Sequence, residues 1–160
     1  MKRLTLVGTL ALIVSALLVA QNRQTPAAQK GGNHKIIMPE SLKWQPYVGR
    51  AMKAVVSGDP SKSGPYVMRI KSPDGFRIPP HWHPQDENLT VLSGTFRLGT
   101  GEKWDDAALR DLEPGVFLLI PREMRHFAGS RGETIIQLHG MGPFQINWVN
   151  PADDPNRQKQ

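Results

Sequence analysis

From Ala51 onward the chain alternates short apolar, β-favouring runs with clusters of turn-forming residues. The runs are AMKAVVSG, PYVMRIKS, NLTVLSG, TFRLG, GVFLLIP, RHFAGS, ETIIQLHG and PFQINWV; between them stand signals such as SGDPSKSGP, SPDG, SGT and SRGE. Many short strands punctuated in this way predict an all-β sandwich or barrel, not alternating α/β units. One segment departs from the pattern. KWDDAALRDLEPG offers Asp105 as an N-cap, helix formers after it and a Pro-Gly stop, so one short helix is expected there. A barrel closed by such strands buries their inward faces and leaves a mouth for a ligand.

The N-terminus has a different texture. Lys2 and Arg3 precede 17 uncharged residues, Leu4 to Ala20, and a small residue closes the run before Gln21. This is the layout of a secretory signal peptide cut at Ala20–Gln21. The alternative is an uncleaved membrane anchor, because 17 residues touch the lower limit for a span. Both readings put the barrel outside the cytoplasm, periplasmic or secreted. The expected organisation is therefore 1–20 signal peptide or anchor, 21–50 a loose leader rich in Gln, Pro, Gly and Asn, 51–149 the barrel domain, and 150–160 a surface tail. There is no internal repeat, which excludes a fusion of two such barrels.

Composition narrows the function. The chain has no Cys, which removes a disulfide framework, thiolate ligands and lipoprotein attachment at the junction. The formal net charge is +6, but loss of Lys2 and Arg3 would leave 18 basic against 14 acidic residues, +4, scattered without a stripe or patch. Nucleic acid is not an expected partner. Membrane contact is expected only through the N-terminal segment, and a small-molecule ligand or substrate is the partner that remains, with a homodimer left open.

The candidate chemistry lies in GFRIPPHWHPQDENLTVLSG. His81 and His83 are two apart, so on a strand both imidazoles leave one face. Glu87 follows a turn begun by Pro84, and His126 lies far downstream in GVFLLIPREMRHFAGS. Three imidazoles and a carboxylate suit Zn, Fe, Mn, Ni or Cu and offer little to Ca or Mg. Ligand affinity alone orders Cu, Ni and Zn above Mn, so an exported chain is expected to carry mainly Zn, Cu or Ni. Asp86 is the rival to Glu87, but neighbours on a strand face opposite sides and only one can reach.

The spacing resembles the first cupin motif: Gly, five residues, His-x-His, three residues, Glu, six residues, Gly. Gly75, His81, His83, Glu87 and Gly94 fill it. The second motif is filled by Gly115, Pro121 and His126, whereas Glu123 stands at a Gly position and Ser130 at an Asn position. A Gly in such a turn often supplies positive φ, which costs another residue about 1 kcal/mol. The chain thus resembles single-domain, RmlC-like cupins over about residues 50 to 149. The resemblance implies a double-stranded β-helix, or jelly roll, with His81, His83, Glu87 and His126 as the metal tetrad.

The remaining candidates each have an ordinary alternative. The tetrad residues could be the polar remnant of a barrel without metal. His139 alternates with Gln137 and Ile135 and would either contact substrate or serve as a hydrogen-bonded structural His. Trp82, between two ligands, should pack outside the barrel wall or against a partner. Four protein ligands leave an open position, which distinguishes catalytic from closed structural sites. The resemblance allows a dioxygenase-type enzyme acting on a small enolic or aromatic compound, with Glu87 also available as a catalytic base. The alternative is a binding or sensing module without turnover, as in the cupin domain of zinc-dependent anti-sigma factors.

Overall fold

The computed structural model describes residues 34–155 and 157. The reading of residues 1–20 as signal peptide or anchor falls outside the described residues; among those described, no helix is long and apolar enough to cross a membrane. The chain divides into Met1–Lys35 and Ile36–Gln160. Everything below belongs to the second unit.

That unit is all-β, as the run-and-turn pattern predicts. Its strands are β1 (Gln45–Pro46), β2 (Met52–Ser57), β3 (Gly64–Ser72), β4 (Arg77–Trp82), β5 (Glu87–Thr100), β6 (Arg110–Leu112), β7 (Phe117–Ile120), β8 (His126–Gly142) and β9 (Asn147–Trp148). They form one curled antiparallel sheet in the order β1-β2-β3-β8-β4-β9, with β5 pairing β6, β7 and β8. This is the jelly-roll barrel. β5 and β8 are its spine, paired from Asn88↔His139 to Thr100↔His126.

Two of the expected turns are bends inside these long strands. SGT lies within β5, where the register with β8 shifts between Val91 and Thr95, and SRGE lies within β8. Gly94 has φ 71°, and a Cβ there would run into the Glu133 carbonyl and Thr134. Only Gly satisfies both the backbone angle and the close approach at this bend. The bend lets one strand serve two walls of the barrel.

The segment between the motifs is only partly helical. Asp105 caps it as expected, its carboxylate accepting from the Ala107 N–H at 2.9 Å, but the helix is a single 3₁₀ turn, Asp106–Ala108. Arg110–Leu112 then continues as β6 against Phe96–Leu98. Pairing with the long β5 overrides the weak local helix propensity.

Alternating residues of β3, β5 and β8 point inward. Tyr66, Met68, Leu89, Val91, Ile136 and Leu138 form the buried cluster. Each large apolar side chain buried so contributes about 1.5–3 kcal/mol, which holds the walls that carry the site.

Candidate metal centre

Four donors come together at the inner end of the barrel. His81 leaves β4, His83 follows directly after it, Glu87 opens β5 and His126 opens β8. The register pairs His81 with His126 across the β4–β8 ladder. Pro79 and Pro80 fall at the irregularity between Ile78 and His81, where that ladder skips residues, so neither proline removes a needed donor. The three imidazoles each offer a nitrogen, all within 4.8 Å of one another. Glu87 Oε2 lies 3.5 Å from His83 Nε2 and 3.6 Å from His126 Nε2, and His81 is beyond ion-pair range of it. All four side chains are buried.

The rings are oriented by the backbone. His81 Nδ1 meets the Pro79 carbonyl at 2.7 Å, His83 Nδ1 the Gln145 carbonyl at 2.6 Å, and His126 Nδ1 the Met124 carbonyl at 2.9 Å. A carbonyl can only accept, so each Nδ1 carries the proton and each Nε2 keeps its lone pair. This is the tautomer that a metal requires. His83 Nε2 is buried with no hydrogen-bond partner, since 3.5 Å to Glu87 is too long for one. A bare lone pair in a buried site fits a cation placed among the donors.

Electrostatics points the same way. Burial pushes His81 well below the ordinary imidazole value, and the neighbouring His126 and His83 rings add to the shift. Burial also lowers His83, against the hydrogen bond to Gln145, and lowers His126, against the pull of Glu87. The imidazoles are therefore neutral ligands at neutral pH. Burial raises the Glu87 carboxyl to about 7, with His126 opposing. A divalent cation would supply the positive charge that this carboxylate lacks.

Around the donors lies a cavity of about 50 Å³. Its walls are apolar except for the tetrad, Tyr47 and Ser72. Tyr47 was not among the residues expected here. It belongs to the segment read as a loose leader, where β1 pairs with β2, and burial with the nearby Glu87 charge pushes its phenol pKa up. Phe144 stacks on the His83 ring, centroids 4.7 Å apart.

The departures from the second motif have local explanations. Glu123 itself adopts φ 63°, the only positive φ outside glycine among the described residues. Its N–H donates to the His83 carbonyl at 2.8 Å, tying the two motifs together. Asp86 does not compete for the site: it accepts from the Arg122 N–H at 2.8 Å and holds the same turn from the other side. Ser130 takes over hydrogen bonding at its position, donating to the Pro73 carbonyl at 2.6 Å and accepting from the Phe76 N–H at 3.3 Å.

His139 is not brought to the site. Thr134, Ile136 and Leu138 face inward, so His139 lies on the outer face of β8, with its ring 6.3 Å from that of Phe117. Trp82 also packs outside, under the Arg125 guanidinium at 5.3 Å.

A family model described as a cupin domain matches residues 68–139. No curated protein matches the sequence. Among solved structures, the polyketide cyclase RemF from Streptomyces resistomycificus is similar at TM-score 0.62, with 18% identity, over 80% of this chain and 94% of that one. KdgF from Halomonas sp. is similar at TM-score 0.52 and 19% identity, over 66% and 93%. The complex of Rhodobacter sphaeroides SigE with the anti-sigma ChrR is similar at TM-score 0.51 and 19% identity, over 64% and 50%. At these identities the likeness concerns the fold. With both ligand motifs in place on a jelly-roll barrel, and a family match over residues 68–139 at its centre, the barrel is a cupin domain.

Proposed function

We propose that this protein is an exported metal-dependent enzyme carrying out dioxygenase-type oxidation of a small enolic or aromatic compound. The observation that carries the metal reading is the set of three Nε2 lone pairs, each fixed by an Nδ1 contact to a backbone carbonyl, with that of His83 left without a partner. His81, His83, His126 and Glu87 would hold the ion. A bound metal supplies Lewis-acid polarisation of a substrate oxygen and, when redox-active, O₂ activation.

The chain's own residues do the rest. The apolar walls exclude bulk water and raise the strength of every charge interaction inside. Glu87 would be the carboxylate ligand; released from the ion, it is the carboxylate in the cavity that would take up a proton as a general base. The charged N-terminus followed by Leu4 to Ala20 supports export.

Elemental analysis of protein isolated from its own compartment, followed by O₂-uptake measurements with enolic and phenolic compounds, tests the reading. Stoichiometric Fe, Ni, Cu or Mn with substrate-dependent O₂ consumption supports the enzyme. Stoichiometric Zn without turnover selects the non-catalytic module, and absence of any metal overturns both.

A further inference from the structure

A second, larger cleft adjoins the metal cavity. Tyr47, Val48, Phe144 and Ile146 line both spaces, which are therefore adjacent. The outer cleft adds Trp148, Asp154 and Pro155 and has about 250 Å³. Its two flanks come from segments outside the two ligand motifs: the chain before Ala51, and the chain after Gly142. Trp148 pairs with His81 across the β4–β9 ladder, and its ring lies 5.8 Å from the His81 ring.

The volumes assign different contents to the two spaces. A cavity holding benzene needs about 150 Å³, whereas a water needs about 10–15 Å³. The inner cavity, about 50 Å³, therefore has room for a two-oxygen head but not for a ring. The outer cleft has room for a ring, and three of its walls are aromatic: Tyr47, Phe144 and Trp148.

Charge restricts the head further. Three neutral imidazoles and one carboxylate on a divalent ion leave a single positive charge. No Lys or Arg is among the residues lining the inner cavity. A monoanionic head neutralises that charge, whereas a dianion leaves a negative charge buried among apolar walls, at substantial cost.

We infer that the ligand is bipartite: a monoanionic, two-oxygen head in the inner cavity, joined to a flat aromatic body that lies in the outer cleft against Trp148. This deepens the proposed function by naming the substrate class, and it rests on the metal reading of the tetrad.

The test uses metal-loaded full-length protein, calorimetry and three probes. Acetohydroxamate presents the head alone, benzohydroxamate adds the ring, and oxalate is a dianion with a two-oxygen head. Metal content is measured by elemental analysis before each titration. Burying about 55 Å² of ring is worth about tenfold in affinity, so benzohydroxamate should bind about tenfold more tightly than acetohydroxamate. Oxalate should bind more weakly than acetohydroxamate once each is scaled to its affinity for the free ion in water.

Trp148→Ala should bring the two hydroxamates to within about twofold, and Trp148→Phe should restore part of the preference. If the Ala variant loses its metal, Ile146→Ala provides the same reading from a residue that lines both spaces. Full metal content with equal hydroxamate affinities overturns the bipartite site alone, as does a preference that survives loss of Trp148. Scaled oxalate binding as tight as acetohydroxamate overturns the charge argument. Protein that takes up no metal overturns the proposed function and this inference with it.

Discussion

With Glu87 as a ligand, as proposed, metal affinity should depend on pH in a way that can be calculated. The Glu87 carboxyl, raised to about 7 by burial, is protonated in the metal-free protein below that pH, yet it must be ionised to serve as a ligand. Binding below about pH 7 therefore expels a proton. Affinity should rise about tenfold per pH unit from about pH 5 to about pH 7 and level off above. That amounts to about 100-fold, or about 2.7 kcal/mol. The imidazoles are pushed below their ordinary value of 6.5, so they add little to this slope near neutrality.

In the metal-free protein the sign reverses. A carboxyl whose folded value is raised favours folding when protonated, so its contribution is present below 4.5 and is lost as pH rises through about 7. The loss is about 3 kcal/mol. Glu87→Gln removes both effects: its metal affinity should be weaker at pH 8 but nearly flat between pH 6 and 8. The metal-free variant should be more stable than wild type at pH 8 and gain little at pH 5. Chelator-competition titrations and urea melts at a series of pH values read these two outcomes. A flat wild-type affinity profile between pH 5 and 7 would refute the assigned role of burial at Glu87.

Four other outcomes are expected. His81→Ala, His83→Ala and His126→Ala should each abolish tight metal binding and remove the rise in melting temperature on loading, measured by calorimetry with and without the ion. Gly94→Ala should cost more than about 2 kcal/mol in chemical denaturation, because the added Cβ meets the Glu133 carbonyl at a backbone angle that disfavours it. Asp86→Ala should cost about 1 kcal/mol and weaken metal binding several-fold, since it frees the turn before His126; unchanged metal affinity would show that the turn holds without it. A fusion of residues 1–30 to a reporter active only outside the cytoplasm should be active, and mature protein should begin near Gln21; an intact N-terminus in the membrane fraction would select the anchor.

The histidine cluster was legible because its signal is local and chemical. A two-residue offset puts His81 and His83 on one side of a strand, and no ordinary core needs two imidazoles there. The barrel was legible from the alternation of runs and turns. The lengths of its strands were not, because Gly94 and Gly132 mark a bulge or bend as readily as a chain reversal. The β6 strand was hidden by helix-favouring residues that only the partner β5 overrules. Tyr47 sits in a polar, Pro-containing stretch with no periodicity, so nothing in its surroundings pointed to the cavity. The Gln145 carbonyl was beyond reach of any side-chain pattern, since every residue has a carbonyl. His139 was ambiguous by one position in phase, and only the inward placement of Leu138 resolves it.

That Gln145 carbonyl has a consequence for how the protein would come to hold the proposed ion. The donors span residues 81 to 126, but the group that orients His83 lies 62 positions beyond it, past the end of β8. A growing chain that has reached Gly142 already contains all four side chains, yet lacks the carbonyl that orients the His83 ring. Ring and carbonyl meet only when the last segment folds back and β9 pairs with β4. If the proposed ion is bound, its capture would mark completion of the chain: truncated products carry the same donors but should hold an ion more loosely than the full-length protein.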